Sequence, residues 1–111
     1  MEIRTYRLKV GVRPTFHALM AEASLPLVRA WGMDVVTFGP CREDADGYVL
    51  IRAYDDLAHL RASQEAFYGS EAWLKGPREA VLACLESHQS VVLELDEADL
   101  NALRRASPGA P

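Results

Sequence analysis

The sequence has few cysteines, no excess of positive charge and no long apolar run. Only two of its 111 residues are cysteines, and no His-x-x-x-His or Cys-x-x-Cys spacing occurs, so a metal site is not expected. The net charge of −4 argues against nucleic-acid binding, which normally needs a basic surface. No apolar run approaches the roughly 20 residues of a membrane span, and no signal peptide precedes the first strand. We therefore expect a cytoplasmic protein that binds neither nucleic acid nor membranes.

The remaining composition is typical of one globular domain. Hydrophobic residues make up 50% of the chain and charged residues 25%, which is enough apolar material for one core. We expect this domain to span residues 1–95. Residues 96–111 form a C-terminal tail that we expect to be partly helical or frayed, because it ends in Ser, Pro, Gly and Ala.

Hydrophobic periodicity predicts four strands and two long helices. Strands are expected at residues 2–10, 33–40, 48–54 and 88–95, and helices at 14–31 and from about 57 to 87. Pro26 should reset the first helix, and Gly69 and the Gly76-Pro77 pair should break the second. The order βαββαβ predicts an α+β, ferredoxin-like fold with a four-stranded antiparallel sheet and both helices on one face.

Both faces of the predicted sheet carry apolar side chains. In the third strand we expect Val49, Ile51 and Ala53 to face the helices, with Tyr48, Leu50, Arg52 and Tyr54 on the opposite face. Arg4 and Tyr6 of the first strand are assigned to that opposite face as well. Since two helices can cover only one face, the sequence predicts a partner on the other, and a sheet-stacked homodimer is the simplest one.

Several segments carry a family resemblance, among them "IRTYRLKVG", "SLPLVRAWG" and "SVVLE". Its main features are Arg4 with Tyr6, the Leu25-Pro26-Leu27 run, Tyr54-Asp55 and Trp73. In these features the chain resembles NIPSNAP-like members of the dimeric α+β barrel superfamily. The resemblance implies a ferredoxin-like protomer that dimerises through its sheets. It fixes no single activity, because related barrels include cofactor-independent monooxygenases, haem-dependent enzymes and isomerases.

Arginine and tyrosine side chains on the central strands are the main candidates for chemistry. A guanidinium pair formed by Arg4 and Arg52 would hold an anion such as a carboxylate, enolate or phenolate. The alternative is that each arginine pairs with an acidic residue for structural reasons. We assign candidate catalytic roles to Arg52, His17 and Tyr6, and substrate contacts to a mainly aromatic set: Arg4, Trp31, Tyr48, Tyr54, Tyr68 and Trp73. No cofactor is expected, although haem stays open as an alternative because related barrels use a histidine ligand.

The segment "EAFYGSEAWLKGP" places three aromatic residues at the predicted break in the second helix. Phe67, Tyr68 and Trp73 would either rim a ligand cavity or fill the joint between two short helices. We expect packing for Phe67 and Trp73, whereas for Tyr68 a polar role is equally open.

Two functions remain compatible with the sequence. We favour a cofactor-independent enzyme of monooxygenase, isomerase or cyclase type that acts on a small aromatic or polyketide-like anionic substrate. The alternative is a non-catalytic homodimer that binds a metabolite or serves as an assembly module. A cavity with Arg or His directed into it favours the first, and a filled interior with every Arg in a salt bridge favours the second.

Overall fold

The four strands form one antiparallel sheet in the order β2-β3-β1-β4. The computed structural model describes residues 1–105, and its strands are β1 (Glu2–Leu8), β2 (Asp34–Pro40), β3 (Gly47–Ala53) and β4 (Leu85–Val92). This order confirms the predicted ferredoxin-like topology. β4 begins earlier than predicted, because the backbone becomes extended at Leu85, which pairs with Leu8.

The first helical region is continuous but changes geometry in its middle. It consists of α1 (Arg13–Leu19), a π-helical turn (Met20–Ser24) and α2 (Leu25–Ala30). Within the turn region, the Leu25 N–H donates to the Met20 carbonyl five residues earlier. Pro26 has no N–H to donate. The π-helical turn ends two residues before Pro26, which is where the sequence predicts a change in the helix. Such π-turns occur frequently at functional sites.

The second helical region is broken, as predicted. Its parts are α3 (Leu57–Tyr68), α4 (Glu71–Leu74) and α5 (Arg78–Cys84). The Asp56 side chain caps α3 by accepting from the His59 N–H at 2.7 Å. The Ser70 hydroxyl caps α4 by accepting from the Trp73 N–H at 3.3 Å. Helix ends, rather than a single kink, therefore separate Tyr68 from Trp73 along the chain.

The helices cover the sheet face that carries the even-numbered residues of β1 and β3. Across the β1–β3 ladder Tyr6 pairs with Tyr48 and Glu2 pairs with Arg52, and Tyr6 and Tyr48 lie in the core beneath the helices. The predicted orientation of β1 and β3 was therefore wrong. Arg4 and Tyr6 of β1, like Tyr48 and Arg52 of β3, face the helical layer, and Ile51 lies on the other side. These even-numbered side chains belong to the larger of the two hydrophobic clusters, which lies between the sheet and the helices.

A further helix lies on the opposite sheet face, which we call the second face. Helix α6 (Glu97–Arg105) packs Leu100 against Val36, Ile51 and Ala53. An ion pair of 2.7 Å joins Arg104 of this helix to Asp34 of β2. The expected helical character of the tail is thus found in α6, whereas residues 106–111 lie outside the described part. Among residues 1–105, no helix has the length and apolar character that crossing a membrane requires.

Candidate functional site

A cavity of about 280 Å³ lies between the sheet and the helices. We call it the sheet–helix cavity, and its volume is near the lower end of the roughly 300–1,000 Å³ of small-molecule sites. Its walls come from β1, β3 and β4 of the sheet, from the π-helical turn and α2, and from α3, α4 and α5. The lining residues most relevant to chemistry are Arg4, Tyr6, Ser24, Tyr68, Trp73 and His88.

A buried charge cluster lies at one side of the cavity. The Arg52 side chain is fully buried and donates from Nε and Nη2 to Glu2 Oε1 at 3.0 and 2.8 Å. Arg4 Nη2 contacts Glu2 Oε2 at 3.2 Å, and Gln64 Nε2 donates to the same oxygen at 2.8 Å. Burial raises the pKa of Glu2, but Arg52, the Gln64 hydrogen bond and Arg4 together outweigh it and hold that pKa below its ordinary value. Two guanidinium groups therefore share one carboxylate, and the cluster carries an excess positive charge.

Tyr68 connects this cluster to the cavity. Its hydroxyl oxygen accepts from Arg4 Nη1 at 2.9 Å and from Arg52 Nη1 at 3.0 Å. Its ring makes edge-to-face contacts with Phe67 and Trp73, whose ring centroids lie 5.0 and 5.3 Å away. The end of α3 and the start of α4 thus fix the position of the Tyr68 hydroxyl.

Arg4 is the member of the charge cluster that lines the cavity. Its side chain is 14% exposed, whereas that of Arg52 is fully buried. The buried Nε of Arg4 has no hydrogen-bond partner among residues 1–105. The bonds to protein groups therefore do not use the full donor capacity of Arg4. Such unsatisfied buried donors are rare in folded proteins.

A second arginine and a histidine also line the cavity. Arg78 and the exposed His88 lie among its lining residues, together with the half-exposed Leu82. Arg78 pairs with Glu79 at 2.6 Å on the surface. No acidic side chain within residues 1–105 lines the cavity itself. Its electrostatic character therefore favours an anionic occupant.

Tyr6 lies beneath the cavity as a neutral phenol. Burial raises the pKa of Tyr6 to about 12. Its ring contacts Phe16 at 5.4 Å and His88 at 6.4 Å between centroids. At neutral pH Tyr6 can donate a hydrogen bond, but it is poorly suited to act as a base.

The structure separates the residues predicted from the sequence into two groups. Arg4, Tyr6, Tyr68 and Trp73 line the sheet–helix cavity. The remaining candidates lie outside its lining: Arg52, His17, Tyr48, Tyr54 and Trp31.

Each residue outside the cavity lining has a contact of its own. His17 Nδ1 lies 2.6 Å from the Tyr48 hydroxyl. The Tyr54 hydroxyl accepts from Gln64 Nε2 at 3.2 Å. The partly exposed Trp31 packs edge-on against Phe67 at 5.9 Å between centroids. These geometries do not bring His17 or Arg52 to a ligand in the cavity.

Sequence reasoning missed Glu2 and Ser24, and it considered His88 only as a potential base or metal ligand. Glu2 stands two residues before Arg4 on one strand, and Gln64 stands four before Tyr68 on one helix, so each pair shares a face. These spacings are the sequence feature from which a polar cluster could have been predicted. Among residues 1–105, no group of three His, Cys, Asp or Glu side chains is arranged to hold a metal ion.

Solved structures of several other proteins have the same fold. The sheet order and the one-sided pair of helical regions define the class of the ferredoxin-like α+β domain, and NIPSNAP-family proteins within this class have similar structures. A NIPSNAP domain protein from Burkholderia xenovorans has a TM-score of 0.76 and 24% identity, covering 86% of this chain and 93% of that chain. A NIPSNAP family protein from Agrobacterium tumefaciens has a TM-score of 0.78 and 13% identity, covering 86% of this chain and 91% of that chain.

A more distant correspondence extends to a proposed antibiotic biosynthesis monooxygenase from Nitrosomonas europaea. Its TM-score is 0.63 at 18% identity, covering 85% of this chain and 95% of that chain. No protein-family model matches the sequence, and no curated protein matches it. The resemblance to NIPSNAP proteins expected from the sequence is therefore confirmed at the level of the fold.

Proposed function

We propose that the protein binds a small, flat, anionic organic molecule in the sheet–helix cavity. The observation that carries this proposal is the charge cluster, in which Arg4 and Arg52 share the single carboxylate of Glu2. A carboxylate, enolate or phenolate beside Arg4 would balance the excess charge. Tyr6, Tyr68 and Trp73 offer aromatic walls for a planar ligand.

We favour an enzyme that needs no cofactor over a passive binding protein. A cavity with a guanidinium group in its wall can orient a substrate and stabilise negative charge that develops on it. The fold shared with the proposed monooxygenase from Nitrosomonas europaea is consistent with chemistry of the monooxygenase, isomerase or cyclase type. The salt bridges of both arginines to Glu2 favour the alternative, a non-catalytic metabolite-binding protein.

Replacing Arg4 by methionine tests the anion site. Benzoate is the probe, and benzamide is its neutral counterpart of similar size. We expect the wild type to bind benzoate more tightly than benzamide in isothermal titration calorimetry. In Arg4→Met we expect benzoate binding to weaken about 10- to 100-fold, because a hydrogen bond to a charged group contributes about 1.5–3 kcal/mol. The Glu2–Arg52 pair remains in this variant, so the fold should persist.

The matched control is Arg61→Met, which removes an exposed arginine from α3. It lowers the net charge of the protein by the same amount but leaves the cavity unchanged, so benzoate should bind as in the wild type. Equal affinity of the wild type for benzoate and benzamide would contradict the proposed function. Equal loss of affinity in both variants would show a general charge effect instead of a site.

We also propose that a second copy of the chain covers the part of the second face that α6 leaves open. Val91 of this face is 53% exposed and pairs with Ile3 at the β1–β4 side of the sheet. Sedimentation velocity should show a dimer, and Val91→Glu should shift it towards monomer. Val92→Glu is the control, because Val92 is 49% exposed on the same strand but points to the other face. A monodisperse wild-type monomer would overturn the dimer.

A further inference from the structure

We infer that the Tyr68 hydroxyl is the donor that selects the ligand, and that the atom it meets must be a hydrogen-bond acceptor, such as the oxygen of a carboxylate or enolate. This inference rests on the proposed function, since it names the residue of the sheet–helix cavity that recognises the anion. It also narrows the ligand class beyond net charge, because it specifies the chemistry of one ligand atom.

The hydrogen-bonding capacity of a phenol is limited. A tyrosine hydroxyl has two acceptor lone pairs and one O–H donor. Arg4 Nη1 and Arg52 Nη1 both donate to the Tyr68 oxygen, at 2.9 and 3.0 Å. Guanidinium groups have no acceptor, so neither can receive the Tyr68 proton. With both lone pairs engaged, Tyr68 can add a new hydrogen bond only as a donor.

The Tyr68 proton has no acceptor within the described chain. No hydrogen bond among residues 1–105 has the Tyr68 hydroxyl as its donor, whereas Tyr68 is one of the residues that line the cavity. A ligand in the cavity is therefore the natural acceptor. Edge-to-face contacts with Phe67 and Trp73 hold the ring in place, so little ordering is required when the ligand binds.

Two neighbouring cations increase the strength of this donor. Hydrogen bonds in a chain polarise one another, and electron density drawn towards Arg4 and Arg52 makes the phenol O–H more positive. The bond to an anionic oxygen is then charge-assisted. An ammonium group at the same point would face two guanidinium groups and a donor, which excludes it. An oxygen that becomes negative during a reaction would also gain most from this contact.

The first test is Tyr68→Phe, measured with benzoate by calorimetry. We expect benzoate binding to weaken about 10- to 100-fold, as is typical for loss of a hydrogen bond to a charged group. Tyr54→Phe is the matched control, because the Tyr54 hydroxyl contacts Gln64 but the residue does not line the cavity. The affinity of the Tyr54→Phe variant for benzoate should equal that of the wild type. Wild-type affinity in Tyr68→Phe would overturn the inference.

Because Tyr68→Phe also removes an acceptor from Arg4 and Arg52, a second variant isolates the donor. Site-specific replacement of Tyr68 by 3-fluorotyrosine keeps the ring and the hydroxyl but makes the phenol a stronger donor and a weaker acceptor. Measured at about pH 6, far below the ordinary tyrosine pKa, this variant should bind benzoate more tightly than the wild type. Unchanged or weaker binding would mean that Tyr68 acts only as a structural acceptor for the arginines.

The two proposals fail in distinguishable ways. If the wild type does not prefer benzoate to benzamide, the anion site itself is absent and the role of Tyr68 falls with it. If the wild type prefers benzoate and Arg4→Met loses it, while both Tyr68 variants bind like the wild type, only the donor role of Tyr68 is overturned.

Discussion

Replacing Arg52 by methionine should lower the free energy of unfolding by about 3–5 kcal/mol, the range typical for breaking a buried ion pair. Arg52 is fully buried, and it provides two of the hydrogen bonds to Glu2, which is 2% exposed. Without it, the hydrogen bonds of the Glu2 carboxylate within residues 1–105 are those with Arg4 and Gln64, at 3.2 and 2.8 Å. Urea denaturation followed by circular dichroism measures the loss.

A double-mutant cycle measures the interaction energy between Glu2 and Arg52 separately from their other contacts. In Glu2→Leu/Arg52→Met both charges are replaced by apolar groups, so the loss should be smaller than the sum of the two single losses. Arg61→Met, at an exposed position on α3, should change the unfolding free energy by no more than about 0.5 kcal/mol. A loss below about 1 kcal/mol in Arg52→Met, or strict additivity in the cycle, would contradict the assignment of a stabilising buried pair.

The topology of the fold could be predicted because its signals are local. Asp56 and Ser70 stand at N-cap positions, and each accepts a hydrogen bond from an N–H three residues later, as its sequence context indicates. Gly69 ends α3, and the Gly76-Pro77 pair separates α4 from α5. Each of these features acts through neighbouring backbone groups, so one sequence is enough to locate it.

The orientation of the sheet could not be predicted in the same way. In β3 the residues on both faces are largely apolar, so alternation does not say whether Tyr48 or Val49 lies beneath the helices. The deciding contacts are distant in sequence, as in the Glu2–Arg52 pair, which joins residues 50 positions apart. The coverage of the second face by α6 was missed for a related reason, because Leu100 and Leu103 are the only large apolar residues of that helix.

The candidate site was predictable in part. Arg4 and Tyr6 followed from their place on a central strand, and both line the cavity. His17 was assigned from its chemistry alone, and the structure places it against Tyr48 instead. For Tyr68 the sequence left packing and a polar role equally open. Only the three-dimensional arrangement shows that its hydroxyl joins two arginines from two different strands.

Replacing Phe67 by alanine is expected to cost about 3–5 kcal/mol of unfolding free energy, the usual range for a buried phenylalanine. Phe67 is fully buried, and its ring contacts Trp31, Tyr68 and Trp73 at 5.9, 5.0 and 5.6 Å between centroids. Its loss should leave a void behind the wall of the sheet–helix cavity. Denaturant unfolding gives the stability, and calorimetry with benzoate gives the effect on the site.

The variant Leu74→Ala provides the comparison for Phe67→Ala, since Leu74 lies in α4 and is 46% exposed. The loss of unfolding free energy in Leu74→Ala should stay well below that in Phe67→Ala, because less apolar surface returns to water. Phe67→Leu retains most of the buried volume and should recover much of the stability. If Tyr68 depends on Phe67 for its position, benzoate affinity will fall in Phe67→Ala at temperatures where the protein is still fully folded. Unchanged affinity under those conditions would show that Trp73 and the two arginines fix the Tyr68 ring by themselves.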